Sequence, residues 1–212
     1  MKILKKIRPY IPKPSRREYF TMILLVVEVL LFSLLANNFL SANNLVTVLR
    51  NSTDLAVVSI GMTMVMVLGG IDISIGSSLG VVAIFVGWML QREFNPLLIG
   101  LIAVILGTLI GIINGFLVTK ARIPAIIATL GISNILRALI FGMLGGSWLT
   151  GLPRVFSPFT KGTIIGLPTP IFLLAIFYLI FWIFLTYIPP GRHIYAVGNS
   201  AEASILAGIS AD

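Results

Sequence analysis

Twenty-two consecutive residues, Leu97 to Val118, carry no charged side chain. Wound as a helix rising about 1.5 Å per residue, such a run is about 33 Å long, enough to cross a hydrocarbon core about 30 Å thick. Backbone in lipid must pair its own N–H and C=O groups, and a single run of this length does so only as an α-helix. Composition extends that reading to the whole chain. Its 212 residues are 58% hydrophobic and 10% charged, against about 25% charged in soluble domains, and mean hydropathy is +1.06. The expected fold class is therefore all-α, a polytopic transmembrane helix bundle.

The net charge of +8 raises nucleic acid as a partner, but its distribution favours the lipid bilayer. Seven of the fifteen cations, Lys2, Lys5, Lys6, Arg8, Lys13, Arg16 and Arg17, precede the first apolar run, the pattern of a lead retained in the cytoplasm beside anionic lipid. The apolar run that follows is too long for a cleaved signal peptide and is succeeded by further spans. No cysteine and one histidine are present, so neither a thiolate nor a histidine-rich metal site is expected. The organisation expected is a basic lead at 1–18, a membrane core at 19–189 and a polar tail at 190–212.

Within that core, Phe20 to Ala36 reads as a first span interrupted by Glu28, and Asn37 to Asp54 as a polar connection. Gly107, Gly111 and Gly115 recur every fourth residue of the charge-free run and share one helix face. Small residues so spaced let two helix backbones approach closely, so a packing face inside the bundle is expected there, with Asn114 beside it. Pro124 is placed to start a span over Ala125 to Leu144. That span contains the polar insertions Thr129, Ser133, Asn134 and Arg137, with positions 130, 133, 134 and 137 read as one polar stripe. Residues 145–170 read as a long extramembrane excursion and Ile171 to Ile188 as a last span, ended by Pro189-Pro190-Gly191.

The stretch Gly69-Gly70-Ile71-Asp72-Ile73-Ser74-Ile75-Gly76-Ser77-Ser78 stands between apolar runs of fourteen residues (Leu55–Leu68) and twelve residues (Leu79–Leu90). As helices these are about 21 and 18 Å long, each too short to span. A broken-helix hairpin at 69–78, within the membrane or near its surface, is expected, with Gly70, Asp72, Ser74, Gly76 and Ser77 as candidates for a translocation path. Irregular backbone at membrane depth must be buried in protein or line an aqueous cavity, and an intramembrane ionisable residue marks a functional hypothesis. Two compatible readings of Asp72 stand. It faces a path, or it caps the helix that begins near Ser74. Arg137 either pairs with Asp72 or Glu28 inside the bundle or reaches to an interface. No catalytic pair is evident, so an intramembrane enzyme is the least supported class.

Counting spans by charge gives a tie. Six segments place ten cations inside and four outside, and five segments do the same, Arg137 being left out of both; the short Lys120–Arg122 loop favours six. In the tail, Asn199 with Glu202 three residues later resembles a capping box. Ile205, Leu206 and Ile209 form an apolar patch that Gly208 can end. It reads as a docking element or as a helix lying on the membrane.

Three stretches resemble the permease subunits of bacterial ABC importers for ribose, rhamnose, other monosaccharides and autoinducer-2. They are Gly69 to Ser78; Ile112-Ile113-Asn114-Gly115 with the following Ile123-Pro124-Ala-Ile-Ile-Ala-Thr129-Leu130-Gly131; and Gly191-Arg192 through Tyr195-Ala196-Val197-Gly198-Asn199 to Gly208-Ile209. The resemblance implies an inner-membrane permease with a cytoplasmic N-terminus. It is partnered by a second permease chain, an ABC ATPase subunit and a periplasmic solute-binding protein. ATP would be used by the partner, because the chain has no phosphate-binding Gly-x-x-x-x-Gly-Lys-Ser/Thr loop, and the chain itself needs no cofactor. The tail becomes the loop gripped by the ATPase, through Arg192, Tyr195, Asn199, Glu202, Ala203 and Gly208. That role puts the tail in the cytoplasm and selects six segments. Members of the family continue beyond this loop with further spans, so a truncated, non-transporting membrane protein or scaffold is the alternative expectation.

Overall fold

A computed structural model describes residues 16–210; the basic lead up to residue 15 lies outside them. Contacts divide the chain at Val48 and Leu49 into two units. The first holds α1 (Arg16–Leu35) and the start of α2 (Ala42–Val67). Apart from Glu28, α1 is apolar from Tyr19 onward, and Ser33, its one hydroxyl after Thr21, donates to the Val29 carbonyl at 2.6 Å. Ser41 caps α2, its hydroxyl accepting from the Asn44 N–H at 3.3 Å.

α2 corrects the polar connection expected over Asn37–Asp54. Helix begins at Ala42 and runs 26 residues, about 39 Å, so the segment before the Gly-rich break is not short. Its polar residues are accommodated because their hydroxyls turn back on the helix. Thr47 donates to Asn43 O at 2.8 Å and Thr53 to Leu49 O at 2.9 Å, so neither needs water.

In the second unit follow α3 (Ile75–Gln91), α4 (Pro96–Thr119), α5 (Ala125–Leu144), α6 (Ser157–Lys161), the two-residue strands β1 (Thr163–Ile164) and β2 (Leu167–Pro168), α7 (Thr169–Tyr187), α8 (Pro189–Asn199) and α9 (Ala201–Leu206). α4, α5 and α7 are each long and apolar enough to cross a membrane, and α3 is a shorter apolar helix. Proline starts α4 at its first turn, where a missing N–H costs nothing, and the Asn95 side chain accepts from Leu97 N–H at 2.9 Å. The chain is an all-α membrane bundle, with the antiparallel β1–β2 pairing as its minor exception.

The core lies where α3 meets α4 and α5. Val81, Ile84 and Leu90 of α3, Ile99 of α4, and Ala128 and Leu136 of α5 are buried. Gly80 lets α3 approach α5 so closely that a Cβ there would lie 2.7 Å from Ile140 Cδ1.

Two ends can be told apart in this unit. At one, a Cβ on Gly198 of α8 would collide with the Val67 carbonyl that ends α2, and the α2–α3 break meets α4 and α5 beside the Lys120–Arg122 loop. At the other, Gln91 donates to Thr150 O at 2.9 Å, and Leu149 and Leu152 crowd Gly87. The excursion at 145–170 contains α6 and the β1–β2 hairpin.

The last span ends where expected, α7 stopping at Tyr187 with Ile188 extended ahead of the prolines. A separate helix, α8, begins at Pro189, proline being tolerated in a first helical turn. The glycine stripe on α4, expected as a packing face, packs against no helix among the described residues, since a Cβ at Gly107, Gly111 or Gly115 meets nothing within 4 Å there.

Candidate functional site

α2 ends in a glycine-dependent turn. Gly69 adopts φ +81°, a region open to glycine at little cost. Its N–H donates to Met66 O at 2.9 Å and that of Gly70 to Val65 O at 3.0 Å, the paired bonds of a Schellman motif. The chain then runs extended through Asp72 and re-enters helix at Ile75.

Asp72 organises that re-entry. Its Oδ1 accepts from the Ser74 backbone N–H at 2.7 Å and from the Ser74 hydroxyl at 2.6 Å. Ser74 is fully buried, and its Oγ in turn accepts from Asn114 Nδ2 of α4 at 2.7 Å. The same Nδ2 stands 3.4 Å from Asp72 Oδ2, a long contact that leaves this oxygen its spare acceptor capacity. With both bonds made by Nδ2, Asn114 Oδ1 is buried without a partner. Turning the amide over would face a carbonyl to a carboxylate and to a hydroxyl whose proton is already committed.

α5 secures the other flank. Thr129 Oγ1 accepts from Ile73 N–H at 3.1 Å, and its own proton is within reach of Ala125 O at 2.8 Å and Ile71 O at 3.2 Å. One turn on, Ser133 and Ser77 hydroxyls lie 2.7 Å apart. Backbone that leaves helix between two apolar segments is thus paired by side chains, Asp72 at Ser74 and Thr129 of α5 at Ile71 and Ile73, as irregular backbone in lipid requires. Asn114 of α4 holds the side chains of Asp72 and Ser74. Asn114 lies five residues before the end of α4 and Thr129 four after the start of α5. At about 1.5 Å per residue the node sits about 6–8 Å inside the Lys120–Arg122 end.

Other residues singled out from the sequence fall elsewhere. Gly76 is exposed, while Ser77 is buried. Glu28 is exposed on α1, and Asn134 and Arg137 are exposed on α5. The expected stripe at 130, 133, 134 and 137 is therefore split. Ala128, Thr129, Ser133 and Leu136 are the buried face, and Arg137 makes no hydrogen bond or ion pair with Asp72. Thr129 and Ser133 stood out in the sequence as polar insertions, Ser133 within the expected stripe, but neither was assigned to the Asp72 break. Their spacing of four, which sets them against Ile73 and Ser77, was the available signal.

In the tail, the cap of α9 is Ser200, not Asn199. The Ser200 hydroxyl accepts from Ala203 N–H at 3.2 Å, because Asn199 is still the last residue of α8. α9 ends at Gly208 (φ +79°) through Gly208 N–H to Ile205 O and Ile209 N–H to Ser204 O, at 3.0 and 2.9 Å, the same motif that ends α2. Arg192, Tyr195, Glu202 and Ala203 are exposed. Leu206 is 91% exposed and Ile205 61%, an apolar pair left uncovered among the described residues. Among the described residues no group of three or more His, Cys, Asp or Glu could hold a metal.

A family model described as "Branched-chain amino acid transport system / permease component" matches residues 44–212. The chain is 34% identical over 207 residues to the ribose import permease protein of Escherichia coli (strain K12), covering 96% of this chain and 64% of that protein. It is 31% identical over 197 residues to the ribose import permease protein of Haemophilus influenzae, covering 91% and 61%. Against the autoinducer 2 import system permease protein of Photorhabdus temperata it is 33% identical over 198 residues, covering 91% and 60%. The chain spans less than two-thirds of the length of these relatives. No solved structure matches.

Proposed function

Because the chain belongs to the family of branched-chain amino acid transport system permease components, we propose that it is a permease chain of an ATP-driven importer for a sugar or sugar-like solute of the ribose or autoinducer-2 class. The observation that carries this reading is the shared 207-residue stretch with a ribose import permease. The polar node at Asp72 supports it. A half-buried carboxylate with one under-used oxygen, held by Ser74 and Asn114, is an acceptor suited to solute hydroxyls passing the broken helix. Such a site acts by binding and release, and the chain contributes no bond-breaking chemistry.

In this reading the end bearing the Lys120–Arg122 loop, the break and the tail faces the cytoplasm, as short basic loops do. The basic lead lies on the same side of the inner membrane, and the 145–170 excursion faces outward toward a solute-binding protein. α9 then offers Ile205 and Leu206 to an ATPase subunit, which binds and hydrolyses ATP. A second permease chain completes the path.

Purification of the tagged chain from its native membranes tests the ATPase contact. We expect a subunit with a phosphate-binding loop to co-purify, and Leu206→Glu to abolish its recovery while leaving membrane insertion intact. Undiminished recovery with Leu206→Glu would remove α9 as the docking element.

A further inference from the structure

A groove of about 970 Å³ runs between α2 and α7, away from the Asp72 node. On α2 its wall is formed at positions 56, 59, 60 and 63, and on α7 at positions spaced by three and four from 171 to 186. Each wall is a single helix face, the i, i+3, i+4, i+7 pattern by which a helix is received in a groove. From 171 to 186 is about 22 Å along α7, more than a single sugar occupies and room for about four turns of a packed helix. The α2 wall carries the small side chains Ala56 and Ser59, and the α7 wall carries Ala175 among larger ones such as Tyr178 and Trp182. The α2 hydroxyls are already committed, Ser59 donating to Leu55 O at 2.6 Å and Thr63 to Ser59 O at 2.7 Å, whereas Tyr178, Trp182 and Thr186 add polar groups to a mostly apolar α7 wall.

α7 has no buried residue over its whole length, unlike α3 and α5, whose inner faces are closed by each other. The relatives have more than a third of their length outside the stretch this chain matches, and they share α7 and the tail. Tyr195 of α8, in the tail, also lines the groove.

We infer that the α2–α7 groove is the seat of one apolar transmembrane helix, homologous to the part of the relatives that residues 1–212 do not span and supplied either in the same polypeptide or by a separate one. This rests on family membership and not on transport, so loss of uptake leaves it standing. The α2 face alone cannot close the groove, and the occupant buries the otherwise bare face of α7.

Photo-crosslinking in native membranes tests it, with benzoylphenylalanine placed at Ala175 in the groove and, as a control, at Ile176, which lies outside it. The expected product at 175 is a crosslink to a transmembrane peptide, identified by mass spectrometry, that aligns with the unspanned portion of the Escherichia coli ribose import permease. At 176 lipid adducts are expected. Lipid adducts alone at 175, a crosslink to a second copy of residues 1–212, or identical products at 175 and 176 would each overturn the inference.

Discussion

Replacing Ser74 by Ala removes a hydroxyl that serves two partners at once. It donates to the Asp72 carboxylate at 2.6 Å and accepts from Asn114 at 2.7 Å. A hydrogen bond to a charged group contributes about 1.5–3 kcal/mol, and a buried amide left without its partner costs about 1–3 kcal/mol. Interhelical polar contacts in membranes fall at the low end, averaging about 0.6 kcal/mol and reaching about 1.7, because the unfolded chain in lipid also finds partners. Ser74→Ala is therefore expected to cost about 2–3 kcal/mol. Asn114→Ala should cost only about 1 kcal/mol, because it also removes the orphaned Oδ1, whose desolvation offsets part of the lost bond. In the double variant nothing is left unpaired at Asn114, so its cost should equal that of Ser74→Ala within error, a coupling of about 1 kcal/mol. Reversible unfolding in mixed detergent micelles, followed by tryptophan fluorescence, measures all three. Additivity within about 0.5 kcal/mol, or Asn114→Ala costing more than Ser74→Ala, would refute the reasoning.

Three further outcomes are expected. Thr129→Val keeps the shape of the side chain but leaves Ile73 N–H unpaired. It should destabilise by about 1–3 kcal/mol and speed hydrogen exchange at Ile73, whereas Thr129→Ser should do neither. Gly198→Ala forces a Cβ against the Val67 carbonyl and should expose the tail to protease in detergent, while Gly111→Ala, with open space around it, should shift the unfolding midpoint hardly at all. The chain lacks cysteine, so single cysteines at Ser157 and Ser200 report sidedness. A membrane-impermeant thiol reagent on intact cells should label the first and not the second, and the reverse pattern would invert the orientation.

Apolar length and proline position made much of the bundle legible in the sequence. The Leu97–Val118 run lies within α4, and Pro124 immediately precedes α5. The break after Leu68 was equally visible, because paired glycines and a carboxylate between apolar runs do not fit a continuous membrane helix. What escaped were features in which a polar residue satisfies itself. Thr47 and Thr53 read as loop, yet they bond back to their own helix, and so the first half of α2 was missed. The polar face of α5 was misjudged by a quarter turn. Arg137 drew attention by its charge, whereas the buried contacts belong to the uncharged Thr129 and Ser133. Asn199 and Ser200 are both good caps, and only the end point of α8 decides between them.

The two glycines of α8 have a mechanical consequence. Gly191 sits against the backbone of Phe184 in α7, and Gly198 against that of Val67 in α2. Seven residues of helix separate them, about 10 Å. α8 is thus a strut whose two ends bear on two different helices, and its length sets their separation at that end. A force applied to α9 would reach both helices through this strut. One of them, α2, ends at Val67, so the same push would arrive at the turn leading to Asp72.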